Sequence, residues 1–377
     1  MRFQFSFFVA NAALALAGVA NITSVNKRNF PLEVTITNGK GTTVKSVDDL
    51  VLLSKVTNTG DEPVHVAKYS GIIDGGYTRS FVVKKDGEEI KFVGVRTQLA
   101  ITYADEEMYL VIAPGETINT EHNVAALYDF ASAGTGNFTF EPFIVTRSVD
   151  ASQIIGDSFT GVAESVSVTI TDDVLDRSLV PNIKRQLTNV CQTSQREFID
   201  ASYEEGRNLA AEAHFDLPPF PTSTKPLSAL FYAYFKTRSS ADLVLRRFVD
   251  VIWANPPSRT LNCDDPLGQC ASGNVVAYTI IKSTNIHFCP IFYNQQDSDA
   301  LCRGTPVDAR NIRGGTMLHE MIHANSLANN QPQSHWVIDV AYGCPQNQAL
   351  SAFDQLRNAD NYNCFATAIY KRDVCLQ

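Results

Sequence analysis

No cysteine occurs before Cys191 in this chain of 377 residues, and all eight fall between there and Cys375. The first half must therefore fold without disulfides, and it has no thiolate with which to block a metal. Glu320 is the last glutamate, so any later carboxylate must come from aspartate. Positive charge is not in excess. With 40 acidic against 31 basic residues the formal net charge is −9, which argues against nucleic acid as a partner. There are no internal repeats or low-complexity tracts. Hydrophobic content of 44% and charged content of 19% describe an ordinary globular protein, long enough for two or three domains.

Only one long apolar run is present, at the start. Met1-Arg2 precedes the mostly apolar Phe5–Ala17 and the small residues Gly18-Val19-Ala20. A basic start, a short apolar core and a small-residue cleavage point predict a secretory signal peptide over 1–20. The run falls short of the ~20 residues that span a bilayer. A secreted, extracellular monomer with no membrane association after signal removal is expected. In that setting eight cysteines in one half predict about four disulfides. They lack the close paired spacing of a cysteine-ligated metal site.

Residues 21–185 read as an all-β, sandwich-like region. Pro31–Thr37 alternates apolar and polar, and Phe81-Val82-Val83 faces Ile90–Val93 across Asp86-Gly87 as a hairpin. Further strands are expected at Val51–Val56, Val64–Ala67, Met108–Ile112, Phe138–Val145 and Ser165–Ile170, separated by turns such as Pro114-Gly115. Asn137-Phe138-Thr139 and Asn21-Ile22-Thr23 are glycosylation sequons. Only His65 and His122 supply imidazoles here, so the region reads as a chaperone or inhibitor. Pro181 and the dibasic Lys184-Arg185 mark a boundary that a dibasic processing protease would cut, releasing 186–377 with every cysteine.

The second region opens with a helix over Gln195–Ala213, weakened in its middle by Gly206, then helices over Leu227–Lys236 and from Ser239 or Ser240 to Pro256. Strands at Asn274–Ile281 and Asn285–Phe288 follow, and a last helix is expected from about Gln348 to Tyr370. After a Gly314-Gly315 pair comes His319-Glu320-Met321-Ile322-His323. Histidines four apart on a helix stack on one face and can share one zinc ion, with Glu320 in reach of water as a general base. The element order is that of a zincin-like α+β domain.

A catalytic zinc needs a third protein ligand. A downstream glutamate is absent, and the positions where a metzincin extension would place glycine and histidine hold Ser326 and Asn329. His335, Asp339, Asp354, Asp360 and Asp373 remain. The motif, followed by Asp339-Val340-Ala341-Tyr342-Gly343 and by Asn358-Ala359-Asp360-Asn361-Tyr362, resembles the deuterolysin (aspzincin) family of secreted, mainly fungal zinc metalloendopeptidases made as precursors. The resemblance covers 186–377, and the signal, propeptide and mature layout fits as well.

The resemblance implies one Zn²⁺ on His319, His323 and Asp339, with Glu320 as general base and Tyr342 as a hydrogen-bond donor to the developing oxyanion. Asp360 would then hold a ligand histidine. Trp336-Val337 replaces the family's Gly-Thr before Asp339, which keeps His335 as an alternative ligand. Phe292 stands where the family has a tyrosine after the cysteine matching Cys289, with Tyr293 adjacent. Three family disulfides map to Cys191–Cys263, Cys270–Cys289 and Cys302–Cys375, leaving Cys344 and Cys364 as a fourth pair. The implied activity is hydrolysis of protein or peptide substrates, basic proteins among them, by an enzyme made as a zymogen. The rival reading is a catalytically altered secreted relative that binds protein or metal without turnover.

Overall fold

A computed structural model describes residues 31–102, 105–147, 162–179, 191–219, 223–254, 260–328 and 335–376. The expected signal segment, Asn21 and Lys184-Arg185 lie outside the described residues. The fold is mixed, with sheets dominating before residue 180 and helices after 190. Among the described residues no helix is long and apolar enough to cross a membrane.

In the N-terminal region, period-two burial sets the register. Leu32, Val34 and Ile36 of the strand Leu32–Asn38 point inward. That strand pairs antiparallel with Val51–Asn58, which pairs with Thr117–Asn123, and the short Val162–Ala163 completes a four-stranded sheet. A five-stranded sheet runs in the order Thr43–Ser46, Val166–Asp173, Gly136–Pro142, Phe81–Lys85, Glu88–Glu89. Thr146–Arg147, Val64–Ala67 and Tyr109–Ile112 form a third. Phe81, Phe130, Phe138 and Phe140 are fully buried between these elements.

Asp86 (φ 52°) and Gly87 (φ 86°) make the expected tight hairpin turn. Its second strand is Glu88–Glu89 rather than Ile90–Val93. Ile90 and Phe92 turn inward instead, Phe92 bridging to Tyr128. The strand expected over Phe138–Val145 stops at Pro142, which has no N–H to extend the ladder, and the chain resumes in another sheet at Thr146.

The C-terminal region is built on a 24-residue helix, Thr193–Asp216, which runs unbroken through Gly206. A Cβ at Gly206 would lie 3.1 Å from the carbonyl oxygen of Gly314. The glycine costs helix propensity but permits the close crossing of this helix with Arg313–Ala328. The helices Ala229–Phe235 and Ala241–Ile252 and the strands Val275–Ile280 and Asn285–Phe288 follow the expected order. The single last helix is a correction. The chain forms Cys344–Ala349, Ala352–Arg357 and Ala359–Asp373, interrupted where Ser351 caps the second and where Asn358 is extended (φ −102°, ψ 118°). Disulfides join Cys191–Cys263, Cys270–Cys289 and Cys302–Cys375, the three pairs that the resemblance implies, and Cys344–Cys364, the pair left over.

The two regions share a sheet and a core. Val95–Leu99 of the first pairs antiparallel with Val275–Ile280 of the second, in a sheet ordered Leu261–Asn262, Asn285–Phe288, Val275–Ile280, Val95–Leu99. One apolar core holds N-terminal residues such as Val95 and Leu99 together with Tyr278, Ile280, Trp336 and Tyr342. A second core lies wholly within the C-terminal region around Phe248, Met317, Met321 and Phe365.

Candidate metal centre

The helix carrying the histidines takes in the glycine pair expected to precede it. It starts at Arg313, and the glycines serve packing. A Cβ at Gly314 would meet the Glu205 side chain at 2.7 Å, and one at Gly315 would meet Asn363 Oδ1 at 2.4 Å. Met317, Leu318, Met321 and Ile322 are fully buried on the surrounding faces. Successive turns of one face present His319 and His323 to one another, with Nε2 atoms 3.1 Å apart.

Asp339 Oδ1 lies 3.1 Å from each of these nitrogens. The three atoms form a near-equilateral triangle, and these residues are the one metal-competent group of three among the described residues. Ligands about 2.0–2.1 Å from a tetrahedral zinc are themselves about 3.4 Å apart, so the triangle has the right size. The tautomers agree. His319 Nδ1 faces Asp360 Oδ1 at 3.0 Å and His323 Nδ1 faces the Val337 carbonyl at 3.0 Å. Both partners only accept, so each Nδ1 donates and each Nε2 keeps its lone pair. Two lone pairs and a carboxylate oxygen converging in a buried space call for a cation.

The electrostatics point the same way. Burial opposes charge on His319, but Asp339 and Asp360 outweigh it and raise its pKa to about 10. Burial would raise Asp339, yet the two imidazoles hold it well below the usual carboxylate range. Asp360, likewise buried, is lowered to about 2 by Arg310 and His319. A proton and a metal ion compete for the same Nε2 lone pair, and the two carboxylates favour a positive charge there in either case.

Glu320 is fully buried, and burial pushes its pKa up. Its Oε2 accepts from Thr279 Oγ1 at 2.5 Å, while Oε1 has no hydrogen-bond partner among the described residues. Tyr342 is fully buried, and its hydroxyl donates to the Thr97 carbonyl at 2.7 Å. His335, the alternative ligand, is exposed and outside the metal-competent group, its own carbonyl accepting from Arg247. Phe292 is buried against Phe288 and Phe198, and Tyr293 packs on Phe198.

Trp336-Val337 departs from the family pattern without disturbing this arrangement, because the contact to His323 comes from the Val337 backbone. Ser326 Oγ ties the same segment down, donating to the His323 carbonyl and accepting from Val337 N. Asn358 does the rest. Its Oδ1 accepts from Val340 N at 2.8 Å and Ala341 N at 3.0 Å, its Nδ2 donates to Asn347 and Asn361, and the flanking backbone bonds Ile338. Asp339 is thus clamped between two held segments.

Three supporting residues carry no signal of their role in the sequence. Asn358 stands at the start of the Asn358–Tyr362 motif without an evident task. Thr279 is one polar residue in an apolar strand. Arg310 has no local pattern around it, yet its side chain is 2% exposed with Nε 2.8 Å from Asp360 Oδ2, an oxygen that also accepts from Gly343 N.

The comparisons agree with the geometry. The description "Deuterolysin metalloprotease (M35) family" belongs to a family model that matches residues 3–373. A "Neutral protease 2 homolog" of Ajellomyces dermatitidis is 29% identical over 374 residues, 96% of each chain. A "Neutral protease 2 homolog" of Botryotinia fuckeliana is 28% identical, over 97% of this chain and 99% of its own. A "Peptidyl-Lys metalloendopeptidase" of Grifola frondosa is 24% identical, over 86% and 89% respectively. With a family match along nearly its whole length and a His-His-Asp group able to hold a metal ion, this chain belongs to the deuterolysin (M35) metalloprotease family and is a zinc metalloendopeptidase.

Proposed function

We propose that the chain is a secreted zymogen in which His319, His323 and Asp339 hold one zinc ion and Glu320 acts as general base. The triangle of donor atoms at 3.1 Å carries this reading. Zinc in that position supplies a Lewis acid that polarises a carbonyl and lowers the pKa of water. Glu320, with one buried carboxylate oxygen unpaired and a raised pKa, is suited to accept a proton from the attacking water and pass it to the leaving amine. Thr279 holds its other oxygen and so orients it. Tyr342 offers its hydroxyl to a peptide carbonyl, the group on which negative charge develops. Asp360 fixes the His319 ring and is itself held by Arg310 and Gly343 N.

In this reading residues 1–20 are a signal peptide, 21–185 a propeptide released by cleavage after Lys184-Arg185, and 186–377 the mature enzyme. Asn137 would carry glycan, a role supported by its exposed side chain. Substrates are proteins and peptides, basic ones among them. The relative named for peptidyl-Lys cleavage supports that preference.

Zinc stoichiometry on the processed form, wild type beside Asp339→Ala, tests the ligand set. One zinc per wild-type chain and loss of most of it in the variant is expected. Full retention by the variant would remove Asp339 from the site.

A further inference from the structure

One N-terminal segment enters the region of the metal centre. Val95–Leu99 extends along Val275–Ile280 with Thr97 opposite Tyr278, Arg96 opposite Thr279 and Gln98 opposite Ala277. Backbone bonds reach past both ends of the pairing, from Ile281 N to the Gly94 carbonyl at 3.0 Å and from Ala100 N to the Asn274 carbonyl at 2.8 Å. Val95, Thr97, Gln98 and Leu99 are each no more than 2% exposed.

Two side-chain donors also take up the segment's carbonyls. Tyr342 Oη donates to the Thr97 carbonyl at 2.7 Å, and Arg310 Nη1 donates to the Ile101 carbonyl at 3.3 Å. Beyond them, a Cβ on Gly343 would come within 3.1 Å of Thr102 Cβ.

These contacts belong to the metal site as much as to the segment. Tyr342 follows Asp339 by three positions. Arg310 pairs with Asp360, which holds His319. Thr279 bonds Glu320, and its cross-strand neighbour Arg96 shares its side of the sheet. An extended chain added to a sheet edge, its carbonyls met by fixed donors, is how proteins hold an unfolded peptide.

We propose that the space between Val275–Ile280 and the Tyr342 and Arg310 side chains is the peptide-binding groove of the enzyme, and that Val95–Thr102 occupies it in the intact chain in place of substrate. This rests on the peptidase reading above. Thr97 presents its carbonyl where a substrate carbonyl would meet Tyr342, Arg310 acts as a further substrate-binding residue, and a protein substrate enters only when the segment leaves. Latency then needs no thiolate, consistent with the absence of cysteine before Cys191.

The test uses the full chain kept intact by K184Q and R185Q and freed of metal, so that binding is read without hydrolysis. The probe is a fluorescein-labelled peptide with the sequence of Gly94–Thr102, followed by anisotropy. Ala100→Pro removes the N–H bonded to Asn274 while leaving Tyr342, Arg310 and the metal residues untouched. The variant is expected to bind the probe at least tenfold more tightly than the otherwise wild-type chain, and equal binding would overturn the proposal. Amide exchange on the chain without Ala100→Pro does not depend on the variant folding: slow exchange at Ala100 and Ile281 is expected, and exchange at the solvent-exposed rate would also overturn it. A processed, zinc-loaded chain that leaves casein uncut would instead defeat the peptidase reading, with the groove still scored by probe binding.

Discussion

The two regions bury different things. The N-terminal one fills its centre with aromatic rings, Phe130 against Phe138 at 5.1 Å and Phe81 against Phe140 at 6.1 Å, both edge-on, and it has no disulfide. The C-terminal one buries His319, Glu320, His323, Arg310 and Asp360 and carries all four disulfides. Taking charges out of water costs several kcal/mol per ion, recovered only through close pairing. A sheet region that holds no charged centre can rely on apolar area. A region that must hold a charged centre dry gives up stability there, and the cross-links offset part of that loss.

The largest expected effect is on turnover. Glu320→Gln preserves shape but cannot take a proton, so peptide hydrolysis should fall by about 10²–10⁴-fold with zinc content unchanged. Hydrolysis within tenfold of wild type would show that the buried charge is structural and would remove the functional side of the contrast.

Stability comes next. Cys191 and Cys263 are 72 residues apart in sequence, and the chain-entropy model assigns such a loop about 4 kcal/mol. Cys191→Ser with Cys263→Ser should lower the urea midpoint of the C-terminal region while amides of Val51–Asn58 keep their exchange protection. Equal loss in both would make the two regions a single cooperative unit.

The N-terminal region should in turn be sensitive to acid. Burial lowers the pKa of His122, which bonds Ser54 Oγ at 2.9 Å, to about 4 from an ordinary 6.5. The unfolded imidazole binds its proton first, so this stabilisation is complete above pH 6.5 and about 3 kcal/mol of it is lost as the pH falls to 4. Urea midpoints of the intact chain between pH 7 and 4 should show that slope, and His122→Gln should flatten it. An unchanged slope would mean that another group governs the acid response.

The smallest effect sharpens the role of the charge network. Asp360→Asn keeps an acceptor for His319 but removes the ion pair with Arg310. Zinc affinity, measured by competition with a chelator, should drop about 10–100-fold. Undiminished affinity would make Asp360 a packing residue.

Much of this architecture is legible in the amino-acid sequence. The stretches Val64–Ala67 and Asn285–Phe288 are strands with the expected bounds, because short runs rich in strand-forming residues between turn signals mark a strand locally, although burial along them does not alternate strictly. The helix with His319 and His323 needs only its own spacing. The break in the last helix is not legible in the sequence, because nothing local makes Asn358 leave the helical region. Asn358 is extended, and its side-chain amide clamps Val340 and Ala341, eighteen and seventeen residues earlier. Gly206 reads as a weak point for a similar reason, since the backbone it makes room for lies on another helix.

By itself the sequence determined the element types, a cysteine-free half and a stapled half, the histidine pair with its glutamate, and the short list of possible third ligands. Only the tertiary structure brought Asp339, and not His335, to the two imidazoles. Only it set Arg310 and Thr279 behind the site and ran Val95–Leu99 along the Val275–Ile280 edge. Periodicity and motif spacing are properties of neighbours along the chain. These other contacts join residues far apart in sequence, and they are settled by which surfaces, donors and charges can satisfy one another once the chain is compact.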